Sequence, residues 1–247
     1  MRLKSAVQTV AGIANGGVFA AGFGMMWNSH LGFGSLSKGL HWVGALLIIA
    51  MFGLGAAAVQ YPLDTPEQMA AKWQFFAVHK TIGVCAFFYG ALRLIFMLVQ
   101  VKPQPLVQHG ATEIFVARTV HWLLTLLMIL VPLAGWVRHA SLPGFAPLYL
   151  PFGDTLPFVP ADPQLSEMAS MVHFGFVVLL GLTVVLHISG AFKHHFWDRD
   201  DTLRRMLPGT RGETNVQSAA PLVLPLALAL TFVAVVAWIA IANTPLV

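Results

Sequence analysis

The sequence predicts an all-α integral membrane protein, with a four-helix transmembrane bundle and an additional transmembrane helix near its C-terminal end. Of the 247 residues, 57% are hydrophobic and only 10% are charged, a composition outside the range of soluble proteins. Five apolar runs are each long enough to cross a bilayer. Their Lys and Arg residues gather at alternate ends, so the formal charge of +4 indicates membrane orientation and not a nucleic-acid partner.

The spans follow one another with short connections. They are predicted over residues 40–59, 76–99, 114–137, a helix within 168–197, and 221–242. Pro132 lies near the far end of the third span, where we expect a kink. Residues 140–166 contain six prolines, which predicts a long external loop that folds over the end of the bundle.

Residues 1–31 depart from this pattern. They begin MRLK and continue uncharged, but five glycines within the first 30 residues make a poor spanning helix. Two interpretations stay open, a signal sequence and a surface extension. We therefore divide the chain into an N-terminal extension (1–31), a four-helix domain (32–212), and a linker with the fifth helix (213–247).

The cationic residues predict the orientation of the chain. If the first span enters from the cytoplasm, eleven of the fourteen Lys and Arg face inward, and only Lys72, Lys80 and Arg138 face outward. This is the positive-inside pattern, with both ends of the four-helix domain in the cytoplasm. The fifth helix then leads the C-terminal end outward.

Four histidines within the spans are the candidate metal ligands. His173 and His187 are fourteen residues apart on one helix, almost four turns, so both leave one face roughly 21 Å apart. His41 begins a helix at the inner surface, and His79 begins one at the outer surface. Depth therefore pairs His41 with His187 and His79 with His173, which is how a helical bundle builds bis-histidine haem sites.

Such a haem would be noncovalent. Cys85 is the only cysteine and no C-x-x-C-H motif exists, which indicates haem b and excludes covalent attachment. Hydrogen-bonded packing of the histidines is the alternative. Small residues near the ligands are expected to make room for the flat macrocycle: Gly44, Gly83, Gly175, Gly181 and Gly190.

Arg93 is a further candidate for cofactor binding. It follows His79 by fourteen residues, which places it at the depth of the inner pair. A guanidinium there suits a haem propionate or a quinone head group, but a side chain reaching the cytoplasmic surface explains it equally well. Arg118 and His121 share this ambiguity, and for His121 we expect packing or hydrogen bonding. The other histidines are expected to be solvated at interfaces: His30, His109, His139, His194 and His195.

Four segments resemble the bacterial cytochrome b561 family of small di-haem membrane cytochromes. They read LSKGLHW, HKTIGVCAFFYGALRLIF, VHWLLTLLMILVPLAGW and HFGFVVLLGLTVVLHISGAFKHHFWDRDDTLRRMLP, within residues 32–208. The resemblance implies His41 with His187 as ligands of the inner haem b and His79 with His173 of the outer one. It also implies electron exchange with ubiquinone in the bacterial inner membrane and, in some members, oxidation of superoxide at the periplasmic side.

Two six-coordinate irons have no open position, so the design favours one-electron transfer and assigns no catalytic residue. The leading hypothesis is a relay between the quinone pool and a periplasmic protein or superoxide. A haem-bearing membrane anchor for a dehydrogenase or hydrogenase is the alternative. A histidine-based proton or metal transporter is disfavoured, because the four core spans hold no acidic residue well inside them.

Overall fold

The structure, a computed structural model, describes residues 26–29, 32–103, 110–142, 144, 146–207 and 223–246. The fold class is confirmed: the described residues are helical or irregular, and five of their helices are long and apolar enough to cross a membrane. The predicted extension (1–31) and linker lie mostly outside the described residues, as do His30 and His109. The helices are α1 (Ser35–Gln60), α2 (Pro66–Val99), α3 (Ala111–Ser141), α4 (Pro163–Phe192) and α5 (Val223–Ala242).

By internal packing the chain divides into two compact units. The first comprises Met1–Val43, Val99–Gln108 and Phe192–Ser218, and the second comprises Gly44–Leu98, His109–Ala191 and Ala219–Val247.

Helix α2 begins ten residues before the predicted span because a capping box starts it. Thr65 accepts a hydrogen bond from the backbone N–H of Gln68, and the Gln68 side chain accepts one from the N–H of Thr65 in return. Pro66 occupies the first helical position, where its missing N–H costs nothing. Helix α4 begins in a similar way: the Asp162 side chain accepts hydrogen bonds from the backbone N–H groups of Gln164 and Leu165.

In the second unit, α1 to α4 contact one another in a closed ring. At each contact, a glycine of one helix faces a residue of the next. The pairs are Gly55 with His79, Gly90 with Met128, Gly135 with His173, and Gly181 with Phe52. A Cβ on Gly90 would lie 2.7 Å from the Met128 carbonyl oxygen, so only glycine permits that approach. Small residues at helix contacts are typical of membrane bundles, where close packing replaces the hydrophobic effect.

Helix α5 packs against this bundle. Ala229 belongs to a buried cluster with Leu127 of α3 and Leu180 of α4. Near the other end of α5, a Cβ on Gly175 would lie 3.0 Å from Val236. The Gln164 amide donates to the Pro245 carbonyl oxygen at 3.1 Å, so α5 ends where α4 begins, as the predicted alternation of helix directions requires.

The first unit brings the HHFWDRDDTLRRM segment against the start of α1. Lys38 Nζ donates to the Leu207 carbonyl oxygen at 3.0 Å, and Trp42 Nε1 donates to that of Met206 at 2.9 Å. The Arg205 guanidinium lies 5.7 Å from the centre of the Phe33 ring, and burial lowers the pKa of this guanidinium. The motif therefore has a structural role in holding the start of α1.

Within that segment, His194 is largely shielded from solvent. Its Nδ1 lies 3.0 Å from an Asp198 oxygen and 3.2 Å from an Asp200 oxygen, with 14% of the side chain exposed. The prediction of a solvated His194 was wrong, because the π-helical segment Lys193–Trp197 and the residues after it bring two carboxylates onto the imidazole.

Candidate haem centre

The outer histidine pair comes together in the second unit. The ring centroids of His79 on α2 and His173 on α4 lie 6.4 Å apart, with their planes at 87°. Metal–nitrogen bonds of about 2.0 Å on both sides of one ion, plus about 1.1 Å from each nitrogen to its ring centre, require roughly 6 Å between centroids. The observed separation therefore fits one metal ion held between the two rings.

Hydrogen bonding prepares His173 for this role. Its Nδ1 donates to the Val131 carbonyl oxygen of α3 at 2.9 Å, since a carbonyl only accepts. That bond leaves Nε2 available to a metal ion, and a backbone partner of this kind orients most metal-binding histidines. On His79, Nδ1 is buried and has no hydrogen-bond partner among the described residues. A buried nitrogen of this kind fits a site at which a bound group completes the surroundings of the ring.

Two glycines make room for these rings. A Cβ on Gly55 would lie 3.1 Å from His79 Cε1, and a Cβ on Gly135 would lie 3.1 Å from His173 Nδ1. Both distances are shorter than ordinary carbon contacts. The rings thus occupy clefts that any larger residue would narrow.

His187 has a different neighbour in the second unit. Its ring lies edge-on to that of His121, with centroids 5.2 Å apart and planes at 85°. His121 Nδ1 donates to the Ala117 carbonyl oxygen at 2.6 Å, one turn earlier on the same helix. His41 belongs to the first unit, where its ring is edge-on to Trp42. The pairing of His41 with His187 stays a prediction.

Arg93 lies against α1. A Cβ on Gly44 would lie 2.8 Å from Arg93 Nη1 and 3.3 Å from the Tyr89 hydroxyl. Gly44 was expected to admit a haem edge, and instead it admits these two polar groups. Tyr89 is one turn before Arg93 on α2, and this i, i+4 spacing in the sequence already places the two side chains next to each other.

Two of the other glycines expected to make room for a haem are covered by side chains. Val236 of α5 lies against Gly175, and Phe52 of α1 lies against Gly181. The prediction failed at these positions because it considered each glycine on its own helix, without the neighbour that packs on it. Nothing described lies within 4 Å of a Cβ on Gly190, and only Met51 approaches Gly83, at 3.7 Å.

Next to the outer pair lies a polar network that the sequence did not reveal. Lys80 Nζ lies 3.3 Å from His139 Nδ1 and donates to the Ala146 carbonyl oxygen at 3.1 Å. Because an ammonium only donates, His139 accepts at Nδ1 and donates from Nε2 to Asp154, at 3.3 Å. His139 is 6% exposed, so the prediction that it is solvated was wrong.

The same network holds the outer loop, the described residues among 142–162. Thr81 Oγ1 accepts from the Tyr149 N–H at 3.0 Å. Trp136 Nε1 donates to the Gly153 carbonyl oxygen at 2.8 Å. The loop therefore folds back onto α2 and α3, as its prolines led us to expect.

Comparison with known proteins decides the family. The model of the prokaryotic cytochrome b561 family matches residues 32–209. The chain belongs to this family. It is 28% identical over 176 residues to cytochrome b561 homolog 2 of Escherichia coli K12, covering 71% of this chain and 90% of that protein. It is 24% identical over 188 residues to the probable superoxide oxidase CybB of Yersinia pestis, covering 74% and 99%.

This cytochrome b561 is accordingly a multi-pass bacterial membrane protein that binds b-type haem. The family match contains α1 to α4 and ends before α5. Of the described residues, His79 and His173 have the ring separation, the partly buried positions and the glycine clefts that fit the group.

Proposed function

We propose that this cytochrome b561 carries single electrons between the ubiquinone pool and a reactant at the outer face of the bacterial inner membrane. The observation that supports it best is the outer pair, whose ring separation of 6.4 Å suits bis-imidazole ligation. When bound, b-type haem supplies reversible one-electron reduction without an open coordination site. A membrane protein with such a site near one surface, and a second near the other, suits a transmembrane relay.

In this proposal His79 and His173 hold the outer haem, and His41 and His187 hold the inner one. Val131 fixes the His173 tautomer through its carbonyl oxygen. The α2 and α4 backbones keep the rings apart at the distance that ligation needs. Arg93, held beside Tyr89 and Gly44, would bind a carboxylate or a quinone oxygen at the inner level.

Superoxide is the second candidate for the outer reactant. The observation that favours it is the similarity to a protein named as a probable superoxide oxidase, at 24% identity. The membrane-anchor alternative draws on α5, which lies outside the family match. Because α5 packs on α3 and α4 through Ala229 and Val236, an anchor role would use its remaining faces.

The deciding measurement is a reduced-minus-oxidised absorption spectrum of the purified protein, combined with its haem-to-protein ratio. We expect two low-spin b-type haems per chain, both reduced by ubiquinol. A single haem or a high-spin iron would contradict the relay. Copurification of a large dehydrogenase subunit would favour the anchor role.

A further inference from the structure

A turn in the outer loop carries an aromatic side chain in an unfavourable backbone conformation. The Val159 N–H donates to the Leu156 carbonyl oxygen at 3.2 Å, which closes a β-turn. Phe158, at the third position of this turn, has φ 68°. A turn of this kind favours glycine at that position, because a side chain there meets the backbone.

Nothing within the described protein compensates for this conformation. The Phe158 side chain is fully exposed, so it gains no packing. A bulky residue with positive φ and no intramolecular contact is an outlier that points to a function outside the fold.

The turn projects from fixed points on both sides. Before it, Gly153 is bonded to Trp136 and Asp154 to His139. After it, the Asp162 N–H donates to the Ser141 carbonyl oxygen at 2.9 Å. The turn that carries Phe158 is thus fixed at both ends, which lowers the entropy cost of binding a partner.

The segment that carries the turn is acidic, since residues 151–167 hold Asp154, Asp162 and Glu167 and no Lys or Arg. The outer segments of the second unit hold three cationic and five acidic side chains, a formal charge of −2: Lys72, Lys80 and Arg138, with Asp64, Glu67, Asp154, Asp162 and Glu167. Two of the cations are directed at the backbone, since Lys72 donates to the carbonyl oxygens of Val59 and Tyr61 and Lys80 to that of Ala146. By contrast, 69% of the Asp154 side chain is exposed.

We propose that this turn, residues 155–160, with Asp154 and Asp162 on either side of it in the sequence, is the docking surface for a water-soluble redox protein with a basic surface. Electron-transfer partners meet through small, transient interfaces. An aromatic contact flanked by complementary charge supplies both affinity and orientation. The inference rests on the proposed relay, for which it names the class of outer partner.

The surface connects with the outer histidine pair by a short route. Asp154 contacts His139, His139 contacts Lys80, and Lys80 follows His79 in the sequence. A partner seated on the turn would therefore dock close to the outer ligands. A second copy of the chain would bring like charges together, and a lipid surface offers no excess positive charge.

The test uses the haem-loaded protein in nanodiscs of neutral lipid, with its haems reduced by dithionite. The probe is ferricytochrome c, a basic protein, which accepts one electron and is followed by stopped-flow absorbance. The matched control is the same cytochrome with its lysines succinylated. We expect the native probe to react more than about tenfold faster than the succinylated one, and the difference to shrink as salt screens it.

Variants at the turn test the aromatic contact. F158G should lower the rate at least about fivefold, as loss of a contact hot spot does, whereas F158W should stay within about twofold of wild type. The thermal midpoint of F158G should be equal to wild type or higher, since glycine adopts φ 68° without strain. A merely structural Phe158 would instead give a lower midpoint.

Three results would overturn the inference: equal rates for F158G and wild type, equal rates for native and succinylated probes, or contact of the turn with lipid. The last is measured on a nitroxide at F158C in a C85S background, which should collide with aqueous nickel chelate more than with oxygen. Because dithionite reduces the haems, the docking assay works even if ubiquinol does not reduce them. Failure of ubiquinol alone would count against the relay, not against the docking surface.

Discussion

The second unit contains two pairs of neighbouring histidine rings, and only one pair leaves room for a metal ion between the rings. Both pairs are perpendicular, but the centroids of His79 and His173 are 6.4 Å apart, whereas those of His121 and His187 are 5.2 Å apart. The first distance leaves room for an ion between two nitrogens, and the second is that of directly packed aromatic rings. Proximity of two imidazoles is thus insufficient to identify a metal site.

The surroundings of the two pairs also favour the His79–His173 pair as the metal site. His173 is oriented by a carbonyl of another helix and faces a glycine on α3. His121 bonds to its own helix, so this bond does not fix it relative to a partner helix. A ligand is defined by cross-helix support and by space, in addition to ring separation.

The largest effect should come from removing one ring of the His79–His173 pair, and none should come from removing His121. His173→Ala should lower the haem-to-protein ratio from two to one, because it removes one of the two residues that would hold the outer haem. His121→Ala should keep both haems. The measurement is the pyridine haemochrome content of purified variants, with redox titration to show which component is lost.

His187→Ala, in the same assay, should remove the other component. If His173→Ala and His187→Ala remove the same component, the pairing by depth is wrong. If His121→Ala removes a haem, then the short ring separation does not exclude ligation.

A second prediction concerns the clefts at the outer pair. Gly55→Val should lower outer haem occupancy by more than half, since even a Cβ would lie 3.1 Å from the His79 ring. Gly53→Val is the matched control on the same helix, because nothing described lies within 4 Å of a Cβ there. Equal haem content in both variants would show that the Gly55 cleft does not matter.

The sequence was sufficient for the helices because long apolar runs and alternating cations are local features. The apolar pattern did not predict the start of α2 at Pro66, which is set by the capping box of Thr65 and Gln68. Apolar runs extend only as far as the lipid, and α2 continues beyond them.

The pairing of His41 with His187 stays a prediction. The approach of His79 to His173 was readable from the sequence, because helix spacing converts directly into distance. Burial of His139 was not, since its partners Lys80 and Asp154 come from separate segments that only the folded loop brings together. The room expected at Gly175 was likewise lost to Val236 of α5, a contact between residues 61 positions apart that no local pattern reports.

A third prediction concerns the network beside the outer pair. His139→Ala should lower the free energy of unfolding by about 1–3 kcal/mol, because Lys80 loses a buried partner. Asp154→Ala should cost less, since that carboxylate is 69% exposed. Thermal unfolding of the haem-loaded variants measures both, and both should retain two haems. A larger loss of unfolding free energy in Asp154→Ala than in His139→Ala would show that Asp154, and not His139, stabilises the network more.

The smallest expected effect concerns superoxide at the outer face. Superoxide is an anion, and an efficient site would attract it with positive charge near the outer haem. The structure gives limited positive charge there, since Lys80 is partly buried and bonded to the loop, whereas Arg138 is exposed. We therefore expect superoxide to reduce the outer haem at a rate that falls only about two- to threefold between low and physiological salt.

Substitutions separate charge from structure in that measurement. Lys80→Glu should lower the rate, but it also removes bonds to the loop. Arg138→Glu changes an exposed charge without a described bond of its side chain, so it should lower the rate through electrostatics alone. Pulse radiolysis of the haem-loaded protein measures all three rates directly. If superoxide reduction is absent, or indifferent to salt and to both substitutions while ubiquinol reduces the haems readily, superoxide is not the outer reactant. Transfer between quinol and a docked protein then becomes the better account, because it needs the exposed carboxylates that would repel an anion.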